Sequence, residues 1–562
     1  MAYAAKLFSK RAVAHTAAVG SPVGGWNARD ALSNMPATDA ITMQNWFPAT
    51  SDVFLRLGSY TCSWNMPGAI ETLMDYVSPT AEKLFAVVAN GGASAIYDVT
   101  AGADNALLTV PASGGPFATV TSVVNLTNAR LQYVNMQTIG SGGFLLAVNG
   151  ANKLVGYDGT VFYRDGDLSH DITGVDTATI VQINVHKFRV WMIQVNSLDA
   201  WYLSTSSISG PATRFPLAGV ARSGGYLVAM ATWTIDAGYG VDDHACFITS
   251  KGEVIVYNGT DPASATTWQL VGVWQIGAPI GRRCFVKWAG DLLIITQDGL
   301  YPMSGALQSS RTNPRVALTE KIQWAISAAI SGLSNNFGWQ IIPYPKENML
   351  LLNVPVAAGS YQEQYVMNTI TKSWCDFQGW NANCWELYKD NLFFGGQIGL
   401  GGAPGTVKGV VALAWTGHGE SVLTDPSVNS DVGNRQTNDI IGNLQQAFSY
   451  YKGPTQLKRF TLMRPLWSAT ISPVPLLAAL NVDFDTTRPI TNVTGPVSAS
   501  TSAWETSSWE TTPWAGGAVI VPSWQGATGL GYCASPHYVV STQGCDLHLM
   551  ATDVVYESGG IV

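Results

Sequence analysis

Short apolar runs recur along much of the chain, each closed by a glycine, asparagine or aspartate turn and followed by a second strand that ends in an aromatic. Phe85-Ala86-Val87-Val88-Ala89-Asn90-Gly91-Gly92 leads to Ile96-Tyr97-Asp98, and Phe144-Leu145-Leu146-Ala147-Val148-Asn149-Gly150 leads to Tyr157-Asp158-Gly159. The same hairpin returns from Phe247 to Gly259 and from Asp291 to Tyr301, so the aromatics fall at Tyr97, Tyr157, Tyr257 and Tyr301. A weaker pair of strands, around Arg189–Met192 and Trp201–Leu203, fills the gap after Tyr157. The steps are roughly 40–60 residues, the period of propeller blades. A four-stranded blade cannot bury both faces alone, so the repeat predicts an all-β propeller of about six to eight blades over residues 61–415. Met349–Val354 and Leu392–Gly396 read as later blade strands.

Beyond the repeat, residues 416–443 lose apolar alternation to Gly, Ser, Asp and Asn and read as a linker. Residues 444–562 read as a C-terminal β domain, sandwich-like or a platform, with strands at Phe460–Trp467 and Leu480–Phe484. Residues 23–60 are expected to add N-terminal strands packing on that domain, and residues 1–22 an Ala-rich, mildly basic arm. Trp504, Trp509 and Trp514 are five apart, which fits neither a helix face nor strand alternation, so a loop or corners are expected there. One helix is predicted, Thr319 to Ile330, with Ile322, Ala325, Ile326 and Ala329 at helical spacing, as an insertion between blades.

Composition agrees with strands: 57 Gly, 27 Pro and 59 aromatics (20 Trp, 21 Tyr, 18 Phe) favour pleated surfaces and tight turns. Hydrophobic residues make up 47% of the 562, enough for large cores, and charged residues only 12%. So low a charge share points to surface covered by other subunits. The formal net charge of −8 argues against a protein that grips phosphates with Lys and Arg. No apolar run approaches the ~18 residues of a membrane-spanning helix, and the first twenty residues lack a secretory pattern, so cytoplasmic synthesis is expected.

The chemistry-bearing motifs are sparse. Cys62, Cys246, Cys284, Cys375, Cys384, Cys533 and Cys545 are scattered without a Cys-x-x-Cys pair, so buried, reduced thiols are expected and no zinc site. No Gly-Lys dipeptide and no Gly-x-Ser-x-Gly elbow occurs, which removes the P-loop and the hydrolase nucleophile. The run from Gly395 to Gly402 leads into no helix and reads as a blade turn. Asp165-Gly166-Asp167 with Asp171 carries carboxylates suited to Ca²⁺ but lacks the rest of an EF-hand, leaving a solvated turn. Asp242-Asp243-His244 reads as a polar turn before the Ala245–Phe247 strand, because neighbours on a strand face opposite ways and cannot flank one bond. Arg282-Arg283 reads as a charged strand edge or a subunit contact, with anion binding the functional alternative. Lys458-Arg459 with Arg464 is the other basic cluster, read the same way. The sequons at Asn125, Asn258 and Asn492 are read as chance occurrences. No catalytic, cofactor-binding or metal-binding residue is assigned, and no cofactor is expected.

One ordered series of motifs carries a resemblance. It starts with Gly24-Gly25-Trp26-Asn27-Ala28-Arg29-Asp30-Ala31-Leu32, Met35-Pro36-Ala37-Thr38-Asp39-Ala40, Asn45-Trp46-Phe47-Pro48 and Leu55-Arg56-Leu57-Gly58. It continues through Ser250–Glu253, Gly259–Pro262, Gly277–Arg283 and Thr296–Gly299 to Ala447–Tyr450, Lys458–Phe460, Arg464-Pro465, Asn481–Asp485 and Tyr556–Gly560. This series resembles the tail nozzle, or tail tubular protein B and DNA-stabilisation class, of short-tailed bacteriophages. The resemblance implies a structural virion protein and no enzyme: a homo-hexameric ring below the adaptor and portal that closes the DNA channel after packaging and conducts DNA during ejection. It implies as partners the tail adaptor and the fibre, spike or needle proteins, with DNA passing unread, and a place in the virion tail, assembled in the host cytoplasm. Two alternatives stand beside it. One is a glycan-binding adhesin using Trp504, Trp509 and Trp514; the other is a propeller glycosidase, which needs two carboxyls across a cleft.

Overall fold

The computed structural model describes residues 13–108, 117–140, 142–167, 170–236, 241–308, 316–357, 361–398, 407–421, 437–470, 475–490, 492–494, 519–522 and 524–559. By internal contacts the chain divides into two units, residues 58–369 with 377–438, and residues 1–57, 370–376 and 439–562.

The larger unit is a seven-bladed β-propeller. Blade one is Ala69–Val77, Glu82–Ala89, Ala95–Asp98 and Ala118–Thr119. Blade two is Gln132–Thr138, Gly142–Val148, Val155–Tyr157 and Phe162–Arg164. Blade three is Ile180–His186, Arg189–Gln194, Asp199–Tyr202 and Thr213–Pro216. Blade four is Leu227–Asp236, Val241–Thr249, Glu253–Gly259 and Trp268–Gln275. Blade five has three strands, Phe285–Trp288, Asp291–Thr296 and Gly299–Pro302, followed by the helix Met303–Gln308. Blade six begins Gln340–Tyr344, Met349–Ala357 and Tyr361–Asn368; the next strand, Trp374–Gln378, is divided between the units. Blade seven is Ala382–Tyr388, Asn391–Ile398 and Lys408–Ala414, completed by Ser59–Met66 from the start of the unit. That last pairing closes the ring: an N-terminal strand supplies the fourth strand of the blade built last, so the blade's backbone groups find partners that the local sequence does not contain.

The hydrophobic repeat maps onto these blades in register. Its apolar run is the second strand of a blade, and its aromatic closes the third, with Tyr97, Tyr157, Tyr202, Tyr257 and Tyr301 all buried. The turn glycine after the run is needed where the backbone turns left-handed, as at Gly299 (φ +123°) and Gly150 (φ +72°). Because each blade is apolar on both faces, cores form between successive blades. Leu145, Tyr157 and Phe162 pack with Phe85 between blades one and two, and Trp191 stacks on Trp268 at 5.6 Å between blades three and four. Blades seven and one share a core of Cys62, Met66, Ile70, Leu84, Phe393 and Val411, among others.

The smaller unit is a β-sandwich. In one sheet the long strand Leu547–Ser558 is flanked by Lys458–Ala469 and by Ala14–Gly20. In the other, Ile440–Gln446 and Ala534–Thr542 lie between Asp39–Gln44 and Pro475–Val482. The inner faces meet at Trp467 and Tyr538, whose rings are 5.1 Å apart edge to face, and the Tyr538 hydroxyl bonds Thr552 Oγ1 of the opposite sheet at 2.7 Å.

Several sequence expectations change. The helix predicted from Thr319 begins as a 3-10 turn, Glu320–Ile322, and continues as Gln323–Leu333, with Ile322, Ile326, Ala329 and Ile330 buried. Helices Thr100–Ala106 and Met303–Gln308 escaped notice because seven and six residues are too short to show a period. Gly395 and Gly396 are not in a turn but inside the strand Asn391–Ile398. A Cβ there would lie 2.5 Å from Ile70 Cγ2 and 2.2 Å from the Asn381 carbonyl, so close packing rather than turning demands glycine. Asp242, Asp243 and His244 likewise lie within a strand, Val241–Thr249, where Asp243 accepts a 2.6 Å bond from Thr234 Oγ1 of the paired strand. Within 416–443 the chain forms short strands, Glu420–Ser421 and Thr437–Asn438, and then starts Ile440–Gln446. Residues 14–20 of the expected arm form a strand against the C-terminal strand Leu547–Ser558; with Val19 its one buried residue, backbone pairing along that long edge, and no local pattern, sets it. Trp504, Trp509 and Trp514 lie outside the described residues.

Ring closure is testable at the shared core of blades seven and one. Phe393→Ala should destabilise the propeller by about 3–5 kcal/mol, the usual cost of emptying a buried aromatic site, measured by urea denaturation followed by tryptophan fluorescence.

Candidate functional site in the axis of the propeller

The innermost strands of the blades surround an axial cavity of about 240 Å³, lined by Gln182, Asn184, Arg283, Gln340, Trp385 and Glu386 among others. It continues, through the shared residues Gln132, Arg282 and Arg283, into a mouth of about 490 Å³. The mouth is built from connections that leave blade strands: residues 89–94, 127–132, 281–283 and 334–339.

An inner strand has no neighbour on its axial side, so its polar groups need partners from adjacent blades. Side-chain amides supply them. Gln182 donates to the Met230 carbonyl at 3.2 Å and accepts from its N–H at 3.1 Å, tying blade three to blade four. Gln340 donates to the Trp385 carbonyl at 2.8 Å and accepts from its N–H at 3.0 Å, tying six to seven. Asn383 donates to the Ile70 carbonyl at 3.2 Å, and Thr72 Oγ1 to the Ala129 carbonyl at 2.6 Å.

Arg283 joins the most blades. Its Nη2 donates to Thr72 Oγ1 at 2.7 Å, the Glu71 carbonyl at 3.0 Å and the Leu131 carbonyl at 3.4 Å, and its Nη1 to Gln340 Oε1 at 3.3 Å. Of the readings given to Arg282-Arg283, the charged strand edge does not describe Arg283: it is directed across the axis, where a guanidinium's several donors can serve four acceptors at once. Arg282 is exposed at the mouth and makes one bond, from Nη1 to the Asn149 carbonyl at 3.3 Å. Arg130 forks onto the Glu71 carboxylate at 3.1–3.3 Å and lies 4.3 Å above the Phe337 ring.

Two carboxyls that the sequence reading passed over stand on inner strands. Glu386 lines the axial cavity, hydrogen-bonded to the Tyr133 hydroxyl and to the Leu387 N–H at 3.1 Å. Burial pushes its pKa up to about 7 against those bonds and the pull of Arg283. Asp75, whose N–H donates to Tyr133 at 3.1 Å, has a buried Oδ1 with no hydrogen-bond partner among the described residues. Burial first, then the charges of Glu386 and Glu82, raise it to about 8. A charged residue interrupting an apolar run, as in Leu73-Met74-Asp75-Tyr76 and Cys384-Trp385-Glu386-Leu387, was the available signal. Across the axis, His186 bonds Thr232 Oγ1 at 3.1 Å, and burial lowers its pKa to about 4.

The other sequence candidates are structural. Asp165 is buried and accepts from Ile172 N–H at 2.7 Å and Thr177 Oγ1 at 2.6 Å, so it braces a connection rather than standing in solvent. Among the described residues no cluster of ligating side chains has the geometry of a metal site. Lys458 is buried and donates to the carbonyls of Gly453, Gln456 and Tyr532 at 2.6–3.0 Å, while Arg464 pairs with Asp553, so this cluster holds its own unit together. All seven cysteines are buried thiols outside any disulfide, and burial pushes those of Cys62, Cys284 and Cys384 up to about 12. No described helix is long and apolar enough to cross a membrane.

No protein-family model matches the sequence, and no curated protein matches it. Solved structures resemble it in fold. An exo-β-1,3-galactanase from Phanerochaete chrysosporium matches at 10% identity and TM-score 0.23, over 75% of this chain and 95% of that one. The Cps50 (Swd1) β-propeller domain of Myceliophteria thermophila matches at 11% identity and TM-score 0.35, over 63% and 99%. A putative 6-phosphogluconolactonase from Bacteroides fragilis matches at 11% identity and TM-score 0.32, over 62% and 89%. Likenesses this remote carry no argument about function. The class rests on the strands themselves: an all-β chain with a seven-bladed propeller and a β-sandwich.

Two outcomes test this axis. Arg283→Met strands four acceptors and should cost on the order of 2–3 kcal/mol, whereas Arg282→Ala should change stability by less than about 0.5 kcal/mol, both read by denaturant titration. Asp75 and Glu386 hold protons in the folded state that the unfolded chain has released, so each subtracts stability as pH rises from about 4 towards 7–8. His186 acts oppositely but only below its ordinary 6.5, so between pH 6.5 and 8 the melting temperature should fall. Asp75→Asn should flatten that decline in a thermal-melt series across the window.

Proposed function

We propose that this chain is a ring-forming structural subunit of a short-tailed bacteriophage tail, a nozzle that closes the DNA channel and conducts DNA on ejection. The reading is carried by the ordered motif series, which runs through both units, from Gly24-Gly25-Trp26 in the sandwich through Ser250–Glu253 and Thr296–Gly299 in the propeller back to Tyr556-Glu557-Ser558. The charge supports it. Thirty basic against 38 acidic side chains leave a net −8, and a channel wall without an excess of cations lets phosphates slide past instead of holding them by counterion release. Arg283, Lys458 and Arg464 are engaged inside their own units, which leaves these three unavailable for a continuous phosphate track.

Immunogold electron microscopy of virions from the source, with antibody raised against this chain, tests the proposal. Label at the distal tail is the expected result. Unlabelled particles, or normal infectious particles from a deletion of the gene, would overturn it.

A further inference from the structure

The mouth of the axial cavity has a feature that neither the fold nor the nozzle reading requires. Three guanidinium groups, Arg130, Arg282 and Arg283, and one carboxylate, Glu71, line the same concavity of about 490 Å³. Arg130 is neutralised by its fork onto Glu71. Arg283 is bound only to uncharged acceptors, and Arg282 only to a carbonyl, so among the described residues neither is ion-paired. Arg282 thus brings to the concavity a positive charge without an ion pair among the described residues, beside Arg283, whose charge also acts on Glu386, in a chain whose overall charge is negative. A cavity of this size lies within the range of about 300–1,000 Å³ that suits a small ligand.

We propose that this mouth is a binding site for an acidic saccharide of the uronic-acid class, its carboxylate held by Arg282 beside Arg283. The reasons for a sugar acid over a bare anion lie in the remaining lining. Asn128, Asn335 and Thr127, none of them buried, line the wall and bring the amide and hydroxyl chemistry that exchanges hydrogen bonds with ring hydroxyls. Glu71, held in place by Arg130, presents a carboxylate that accepts from a hydroxyl. A ligand carrying both a carboxylate and several hydroxyl groups uses the free guanidinium donors of Arg282 and this polar wall together. Guanidinium forks match a planar carboxylate with two parallel bonds, and Arg282 has donors to spare for it.

The inference stands on the pocket alone and is independent of the nozzle reading, since virion labelling does not bear on it. Calorimetric titration of the full chain with trigalacturonate tests it, with methyl-esterified trigalacturonate and inorganic phosphate as comparison probes. Saturable binding of the acid is expected, weakened about tenfold or more by esterification and by Arg282→Ala, with the melting temperature of that variant unchanged. Failure of trigalacturonate to bind at concentrations up to about 10 mM would overturn the proposal. So would equal binding of the ester, equal binding by Arg282→Ala, or phosphate binding as tightly as the acid.

Discussion

Radial blades leave their innermost strands without a backbone neighbour, and the propeller depends on how that deficit is met. Sheets that are not closed by hydrogen bonds expose an edge, and a buried edge must be satisfied by something other than water. Here side chains do it, reaching from one inner strand to the backbone of the next, Gln182 to Met230, Gln340 to Trp385 and Asn383 to Ile70, or of the connection leading into it, Thr72 to Ala129. Arg283 extends the same solution across the axis to several blades at once. Polar residues at the axis are therefore a structural necessity, and the cavity they surround is polar for that reason.

The same constraint shapes the titration of the axis. Once amides and a guanidinium have taken up the available acceptors and donors, the carboxyls on inner strands are left with few stabilising bonds and little water. Asp75 and Glu386 respond by holding their protons, and His186 by releasing its own. At the mouth the loops open and the balance reverses: Arg282 is exposed, Glu71 is matched by Arg130, and the remaining positive charge faces solvent. The carboxyls and the imidazole that burial keeps neutral thus lie on the inner strands, and the exposed Arg282 and the Glu71–Arg130 pair lie at the mouth.

Reading the chain by period found the blades because their second and third strands are the most apolar and end in a buried tyrosine. It missed the first strands. Gln132–Thr138 and Ala382–Tyr388 mix apolar with polar residues, because alternate positions serve blade cores and the axis, so they resemble neither a buried strand nor a solvated one. The candidate site consists largely of these strands and the connections beside them. Arg282-Arg283 was visible as an unusual pair, and Asp75 and Glu386 each interrupt an apolar run, but nothing local marks that these two, 311 positions apart, converge, or that Arg130 and Phe337 do.

What the amino-acid sequence determined by itself is what nearest neighbours and short periods encode: the all-β class, the repeated hairpin, the buried thiols and the lack of nucleotide or nucleophile motifs. Only the tertiary structure decided the number of blades, since the seventh is completed by Ser59–Met66 against Lys408–Ala414, a pairing across some 350 positions. It alone decided that Arg283 spans the axis while its neighbour Arg282 faces the mouth, and that glycines 395 and 396 serve packing instead of turning. The physical reason is common to all three. Each depends on which distant backbone or side chain comes within about 3 Å, the reach of a hydrogen bond, and no local pattern records that distance.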